Sequence, residues 1–354
     1  MLKILFTDLD DTLFQSHRKQ PPEPGWRPVA LLSDGTPISY QSPMQQHALD
    51  FLKQDMHVIP VTARNHDAYR RVNIPFTAEA ILNYGGIILQ ANGQPDDCWL
   101  TRSRHEAQHS TTLLANWQHA LQQEAKHLER DASIRLIVDF GIPFYLVVKM
   151  HDQNDPETGI QTLQQAAKRI RQHPAFSNVR IHANGNNLAI IPSWLDKRHA
   201  VEHLIKQYRA RTNALITFGM GDSLIDLGFM GSCDYILTPG TSQIAATLQQ
   251  ALEDWSNLAP RLNALSERLN AGTVEGEFAV DMQALEQVPP AERQLRLGLM
   301  ELRDSQSKLS LSLIALGGGI ALYLLLRRGV VAGRFKHAPL LGLNGQRLFE
   351  STLY

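Results

Sequence analysis

Cysteine is nearly absent from this chain: only Cys98 and Cys233 occur, far apart in sequence. Two such residues support neither a disulfide framework nor a zinc cluster, and both are expected to be reduced packing residues. An excess of one charge is also lacking. The formal net charge is -1 and no long Lys/Arg stripe appears, so nucleic acid is not an expected partner. Lys3 leads straight into a strand pattern without a secretory leader, which makes a cytoplasmic location the expectation. No internal repeat is visible. What is present is an ordinary globular composition, 43% hydrophobic and 19% charged over 354 residues, long enough for two folded units and additional material.

Residues 2–7 (LKILFT) form a short apolar run ending in turn chemistry, the pattern of a buried parallel strand. RPVALLSDGTPISY predicts a hairpin turning at Asp34-Gly35. MQQHALDFLKQD has helical spacing, HVIPVT reads as a second buried strand, a helix is expected through Asp67–Val72, and a strand near AILNYGG follows. This alternation predicts an α/β fold: a doubly wound, Rossmann-like parallel sheet with helices on both faces.

The rhythm changes over 87–190. Strand and turn signals at 88–100 precede a long amphipathic helix, HSTTLLANWQHALQQEAKHL. The strands IRLIVDF and FYLVVKM, a helix at about 160–172, and the strands VRIHA and LAIIP complete an inserted α+β unit with an antiparallel sheet. From 191 to 255 the first style resumes, with HAVEHLIKQYRA, ALITFG, SLIDLGFM and DYILT as helix, strand, helix and strand. Residues 1–86 and 191–255 thus make one interrupted core. A polar, partly helical linker (256–308) and a hydrophobic and basic tail (309–354) follow.

Ligands of open α/β sheets bind beyond the carboxyl ends of the strands. Asp8 and Asp10 follow the first strand, Thr62 the second and Asp222 a later one, while Lys197 opens a helix. Carboxylates gathered at one sheet edge repel unless a cation joins them, and a hard oxygen site of this kind suits Mg²⁺. An aspartate can also act as a nucleophile toward phosphorus, given donors for the phosphoryl oxygens and an acid for the leaving group. Thr62 also has the chemistry of a helix N-cap, Lys197 that of a solvated helix-start charge, and Asp226 that of an exposed helix acid.

Four segments together carry a resemblance. FTDLDDTLF, VIPVTAR, DKRHAV and GMGDSLIDLGFM resemble, in order, the four motifs of the haloacid-dehalogenase superfamily, with the insertion placed as in its class IIB phosphatases. The resemblance covers roughly residues 1–255. It implies a Mg²⁺-dependent phosphomonoesterase acting on a small phosphate ester, with sugar or polyol phosphates favoured. Asp8 would be nucleophile and metal ligand. Asp10 would be general acid and base, with its backbone carbonyl on the metal. Thr62 and Lys197 would hold the phosphoryl group, Asp222 would bind the metal, and Asp226 would support it. Asp11 stands where relatives often have glycine and reads as a turn residue. Ile225 departs from the asparagine frequent before the last acid, which puts the support of the metal ligands in question.

The insertion would close over the site as a cap and supply substrate contacts. Candidates there are Lys149, His182, Asn184, Asn186 and Asn187, with Arg64 and Asn83 approaching from the core. A sugar phosphomutase or phosphotransferase using the same intermediate, or a regulatory binding module without turnover, are the competing readings; the Asp8/Asp10 pair disfavours the latter.

Residues Leu309–Leu326 carry no charge and are flanked by basic residues on both sides. The run is about 18 residues, the lower bound for a bilayer span. A membrane anchor and an apolar helix docked on protein both fit it; the expectation is membrane attachment with the catalytic body in the cytosol. Fractionation of the full chain beside a version ending at Arg303 tests this: the full chain should sediment with membranes and the shorter one should not. If both stay soluble without detergent, the run is a docking helix.

Overall fold

The computed structural model describes residues 1–151, 156–184 and 187–253, with only the backbone of Pro156, Glu157 and Asn184. The run at 309–326 and residue Asn186 lie outside them. Among the described residues no helix is long and apolar enough to cross a membrane. Residues Met1–Thr247 form one compact unit, and the elements below belong to it.

The first part holds β1 (Leu2–Thr7), β2 (Gln15–Ser16), β3 (Arg27–Leu31), β4 (Pro37–Gln41), α1 (Pro43–Lys53), β5 (His57–Pro60), α2 (His66–Arg70), β6 (Ala80–Leu82) and β7 (Ile87–Leu89). The middle holds α3 (Asp97–His127), β8 (Ala132–Asp139), β9 (Ile142–Met150), α4 (Pro156–Ile170), β10 (Val179–Asn184) and β11 (Asn187–Pro192). The chain then completes α5 (Lys197–Arg211), β12 (Leu215–Met220), α6 (Leu227–Met230) and β13 (Tyr235–Leu237).

A parallel sheet of order β13-β12-β1-β5 forms the centre. Its side chains alternate between two faces, as a strand's period of two requires. Ile4, Phe6, Ile59 and Val61 pack against Ala200, Val201 and Leu204 of α5 and against Phe229 and Met230. Leu5 and Val58 pack on the other side with Leu49 of α1 and with Val29 and Ala30 of the small β2-β4-β3 sheet. Both faces are therefore covered, as expected of a doubly wound arrangement. The hairpin forms between β3 and β4 as predicted.

A second sheet, order β10-β11-β9-β8, is antiparallel. Leu146, Val148, Leu188 and Ile190 face Leu114, Trp117 and Leu121 of α3 and Leu163 of α4. The opposite face carries Tyr145, Val147 and Lys149, which line a cavity shared with the parallel sheet's carboxyl end.

Four expectations change. The strand at AILNYGG pairs antiparallel with β7 and touches the parallel sheet through one bridge, Val61 to Ile81. The helix α3 begins at Asp97, far earlier than the pattern suggested, because Asp96 accepts a hydrogen bond from Trp99 N (2.8 Å) and caps it. Its buried stripe runs through Ser103, Ala107 and Ser110, small residues that hide the amphipathic period. The helix expected over SLIDLGFM is confined to Leu227–Met230. Cys98 is exposed rather than packed, whereas Cys233 is partly buried against the core.

Between β6 and β7 the chain makes a left-handed turn, with positive φ at Asn83 (51°), Tyr84 (55°) and Gly85 (96°). Trp99 Nε1 donates to the Gly85 carbonyl (3.0 Å) and Ser103 Oγ to that of Gly86 (2.7 Å), so α3 fixes the turn. A Cβ on Gly85 would lie 2.4 Å from the Asp196 carbonyl oxygen and 3.1 Å from Lys197 Cα. Gly85→Ala should therefore destabilise the protein by about 2–4 kcal/mol, combining overpacking with positive-φ strain. Chemical denaturation measures the loss, and a change below about 1 kcal/mol would show that the start of α5 yields freely.

Candidate active site

The acids converge because β1 ends in the middle of the sheet. Asp8 N donates to Met220 O (2.8 Å), continuing the ladder with β12 by one residue. The chain then turns back on itself: Leu13 N donates to Leu9 O (2.9 Å), and Asp11 N to Phe14 O (2.7 Å). Asp11 has φ 63°, which confirms its reading as a turn residue, and its carboxylate pairs with Lys19. Leu9 is buried in the core between Asp8 and Asp10, both of which line the cavity.

Lys197, the first residue of α5, is buried and donates to Asp8 Oδ1 (2.6 Å) and Asp226 Oδ1 (2.7 Å). Burial works against its charge, but Asp226 and Asp8 outweigh that and hold the ammonium above its ordinary range. Asp226 is fully buried and also accepts from Ser223 N (3.1 Å) and Ser223 Oγ (2.5 Å). It is neither exposed nor dependent on residue 225: Ser223 provides the hydrogen bonds, while Ile225 packs beside the cluster containing Tyr84, Tyr145 and Leu195. Gly221 makes room for this, since a Cβ there would sit 2.6 Å from Asp226 Cβ.

Carboxylate oxygens of Asp8, Asp222 and Asp226 lie within 4.8 Å of one another. Asp222 accepts from Thr12 Oγ1 (3.3 Å). Three carboxylates against the single ammonium of Lys197 leave two negative charges, and all the donors are hard oxygens, so a divalent ion such as Mg²⁺ fits the group. Crowding of the acids shows in two proton affinities. Burial, then Asp226 and Asp11, push the Asp222 carboxyl up to about 6. Burial, with Asp226 and Asp10 adding to it against Lys197, raises that of Asp8 well above the usual range.

The Asp10 carboxylate stands apart from these three. Arg64 grips it with two hydrogen bonds, Nε to Oδ2 and Nη2 to Oδ1, both 2.7 Å. Burial favours its neutral form, yet Arg64 outweighs this and holds Asp10 below its ordinary value. Arg64, expected to meet substrate, thus spends its guanidinium on Asp10. Thr62 is buried, and its hydroxyl accepts from Arg64 N (3.1 Å); the helix that follows is capped by Asn65 instead.

Asn83 does not line the cavity. Its Nδ2 donates to Asp139 Oδ2 (2.6 Å), at the end of β8, and the same oxygen accepts from His66 N (2.7 Å). With Tyr145 Oη donating to Ala63 O (2.7 Å), these bonds tie the antiparallel sheet to the loop after β5. Asn83 is therefore a strut between the two sheets, contrary to the substrate role expected of it. Lys149, His182 and Asn187 do line the cavity, which has a volume of about 900 Å³. Of Asn184 only the backbone is described, at the end of β10. Thr12, Ser223, Tyr84 and Arg18 were not anticipated. Thr12 follows Asp11 and Ser223 follows Asp222, whereas nothing local in sequence announces Tyr84 or Arg18.

Residues 238–289 match the family described as fumarylacetoacetase N-terminal domain 2, a stretch containing none of the carboxylates above. No curated protein matches the chain. Among solved structures it is similar to the trehalose-6-phosphate phosphatase C-terminal domain of C. albicans, at 14% identity and a TM-score of 0.45, over 72% of this chain and 77% of that one. It is also similar to the sucrose-phosphatase of Synechocystis in complex with sucrose and phosphate (15% identity, TM-score 0.40, 72% of this chain, 98% of that one). A haloacid dehalogenase-like hydrolase of B. subtilis is a third (13% identity, TM-score 0.37, 67% of this chain, 95% of that one).

A cation held at this acidic group should stabilise the folded chain, by about 2.7 kcal/mol at a hundredfold excess over its dissociation constant. Binding needs ionised Asp222, so the stabilisation should fade as the pH falls through about 6. Without metal the sign reverses: the folded chain holds this proton more tightly than the unfolded one, so Asp222 favours folding increasingly as the pH drops through 6. Thermal unfolding with and without Mg²⁺ at pH 7.5 and 5.5 checks both, and Asp222→Asn should remove most of the Mg²⁺ increment.

Proposed function

We propose that the chain is a phosphoryl-transfer enzyme that works through an aspartyl-phosphate. More particularly, it is a phosphomonoester hydrolase acting on a small phosphorylated metabolite of the sugar or polyol phosphate kind. The observation that carries this reading is the gathering of Asp8, Asp10, Thr62, Lys197 and Asp222 around one cavity at the carboxyl end of the parallel sheet. Each residue type meets one requirement of the reaction.

In the first half-reaction a carboxylate oxygen of Asp8 attacks phosphorus, the bond to the ester oxygen breaks, and Asp10 gives its proton to the departing alkoxide. Arg64 favours ionised Asp10, but the charge of an arriving phosphoryl group beside Asp10 raises its proton affinity, as the acid role needs. Thr62 and Lys197 donate to the phosphoryl oxygens, and Asp226 keeps Lys197 charged and oriented. Asp8, Asp222 and the Asp10 carbonyl would hold Mg²⁺, with Asp226 in support, and the ion would supply charge neutralisation for the phosphoryl group. In the second half-reaction Asp10 takes a proton from water, the water oxygen attacks phosphorus, and the bond to Asp8 breaks, releasing phosphate and restoring the Asp8 carboxylate and the protonated Asp10 of the first step. The antiparallel sheet serves as a cap, shielding the acyl phosphate from stray water.

The purified chain with Mg²⁺ should release phosphate from p-nitrophenyl phosphate or a metabolite panel. Asp8→Asn should abolish turnover while far-UV circular dichroism stays unchanged, and Asp10→Asn should slow it by about 10²–10⁴-fold. Transfer to a second sugar that depends on a bisphosphate activator would instead identify a mutase. Near wild-type activity in Asp8→Asn would end the covalent mechanism.

A further inference from the structure

The cavity has a second charged region, at the end of the antiparallel sheet away from the catalytic acids. Its cations can be accounted for one by one. Lys197 is held by Asp8 and Asp226, Arg64 by Asp10, and Lys19 by Asp11. Two more line the same cavity, Arg18 from the loop after β2 and Lys149 from β9, and neither has an ion pair among the described residues.

Strand geometry places Lys149. Tyr145, Val147 and Lys149 share one face of β9. Tyr145 is bound to Ala63 O, beside Thr62, and so marks the catalytic end. Four residues further along a strand amounts to about 13 Å, which sets Lys149 at the far end. Its cross-strand neighbour there is Asn187, another cavity residue. Like charges brought together are unfavourable, and burial, then Arg18 and Arg135, weaken the Lys149 ammonium. A neutral hydroxylated leaving group would leave this repulsion in place.

We infer that the substrate bears a second anionic group, a carboxylate or a further phosphate, which Arg18 and Lys149 receive at the end of the cavity remote from Asp8. This rests on the phosphatase reading for the position of the first phosphate. Arg18 suits the role through its planar fork of donors, and Lys149 as a point charge. The occupant would bridge the two ends, with the transferable phosphoryl group over the acids and its second anion between the parallel core's loop and the antiparallel sheet.

Two matched pairs of esters test it: glucose 6-phosphate against 6-phosphogluconate for a carboxylate, and fructose 6-phosphate against fructose 1,6-bisphosphate for a phosphate. In the Mg²⁺-loaded full chain, kcat/KM should favour at least one doubly anionic member by tenfold or more. Arg18→Gln and Lys149→Gln should each shrink that ratio several-fold. Calorimetric binding of the same four compounds to Asp8→Asn protein gives a readout free of turnover. Preferential binding that the Gln variants abolish, but with no turnover in the unmodified chain, would support the anion site and sink the hydrolase reading. Turnover with no preference in either pair overturns the inference and leaves the hydrolase intact. A preference that survives both substitutions, or absence of binding by all four, also overturns it.

Discussion

One ammonium shared between two buried carboxylates organises the site. Lys197 comes from the N-terminus of α5, Asp8 from the end of β1, and Asp226 from the start of α6, so a single cation joins three segments remote in sequence. Deleting one partner of such a buried group leaves an uncompensated charge, typically at about 3–5 kcal/mol. The arrangement therefore has little freedom to relax around a change. Arginine would not substitute, because a planar fork cannot place one compact charge within 2.7 Å of both oxygens in this enclosed space. Everything else at the site is arranged around this pin: Ser223 orients Asp226, and Gly221 lets Asp226 approach.

The site also depends on two sheets meeting with opposite roles. The parallel sheet offers strand ends, where backbone turns expose carboxylates. The antiparallel sheet offers a face, where Tyr145, Val147 and Lys149 of β9, His182 of β10 and Asn187 and Ala189 of β11 line the same cavity. Its other face is covered by α3 and α4. Asn83, Asp139, His66 and the Tyr145 hydroxyl hold the two sheets in register. Among the described residues the Asn83 Oδ1 has no hydrogen-bond partner, an uncommon cost for a fully buried amide.

Much of this was legible in the sequence, for identifiable reasons. Apolar runs ending in acids or Thr identified β1, β5 and β12, because a doubly covered sheet needs uninterrupted hydrophobic strands. The gathering of Asp8, Asp10, Asp222 and Lys197 was legible because ligands of such a sheet meet strand and helix ends, whereas Asp226 entered only through the motif resemblance. The true start of α3 was not, because its first buried turns use serine and alanine. The pairing of Arg64 with Asp10 was not legible, because it depends on a contact across 54 residues that no local pattern encodes. Asn83 misled for a related reason: its partner Asp139 lies on the other sheet. Ile225 left the support of Asp226 open, and the bonds from Ser223, three residues before the acid, were not read from the sequence.

The position of β1 bears on how the molecule is made. It is an interior strand whose neighbours are β5 and β12, and its acid meets Lys197 across 189 residues, while Thr12 reaches Asp222 across 210. During synthesis β1 must wait, with one edge unpaired, until the ribosome has delivered the whole intervening antiparallel sheet. That sheet is built largely from hairpins and adjacent helices, whose short loops close quickly. The middle of the chain can thus condense while its first strand is still incomplete, and the chemistry of the molecule comes into being last, when β12 docks.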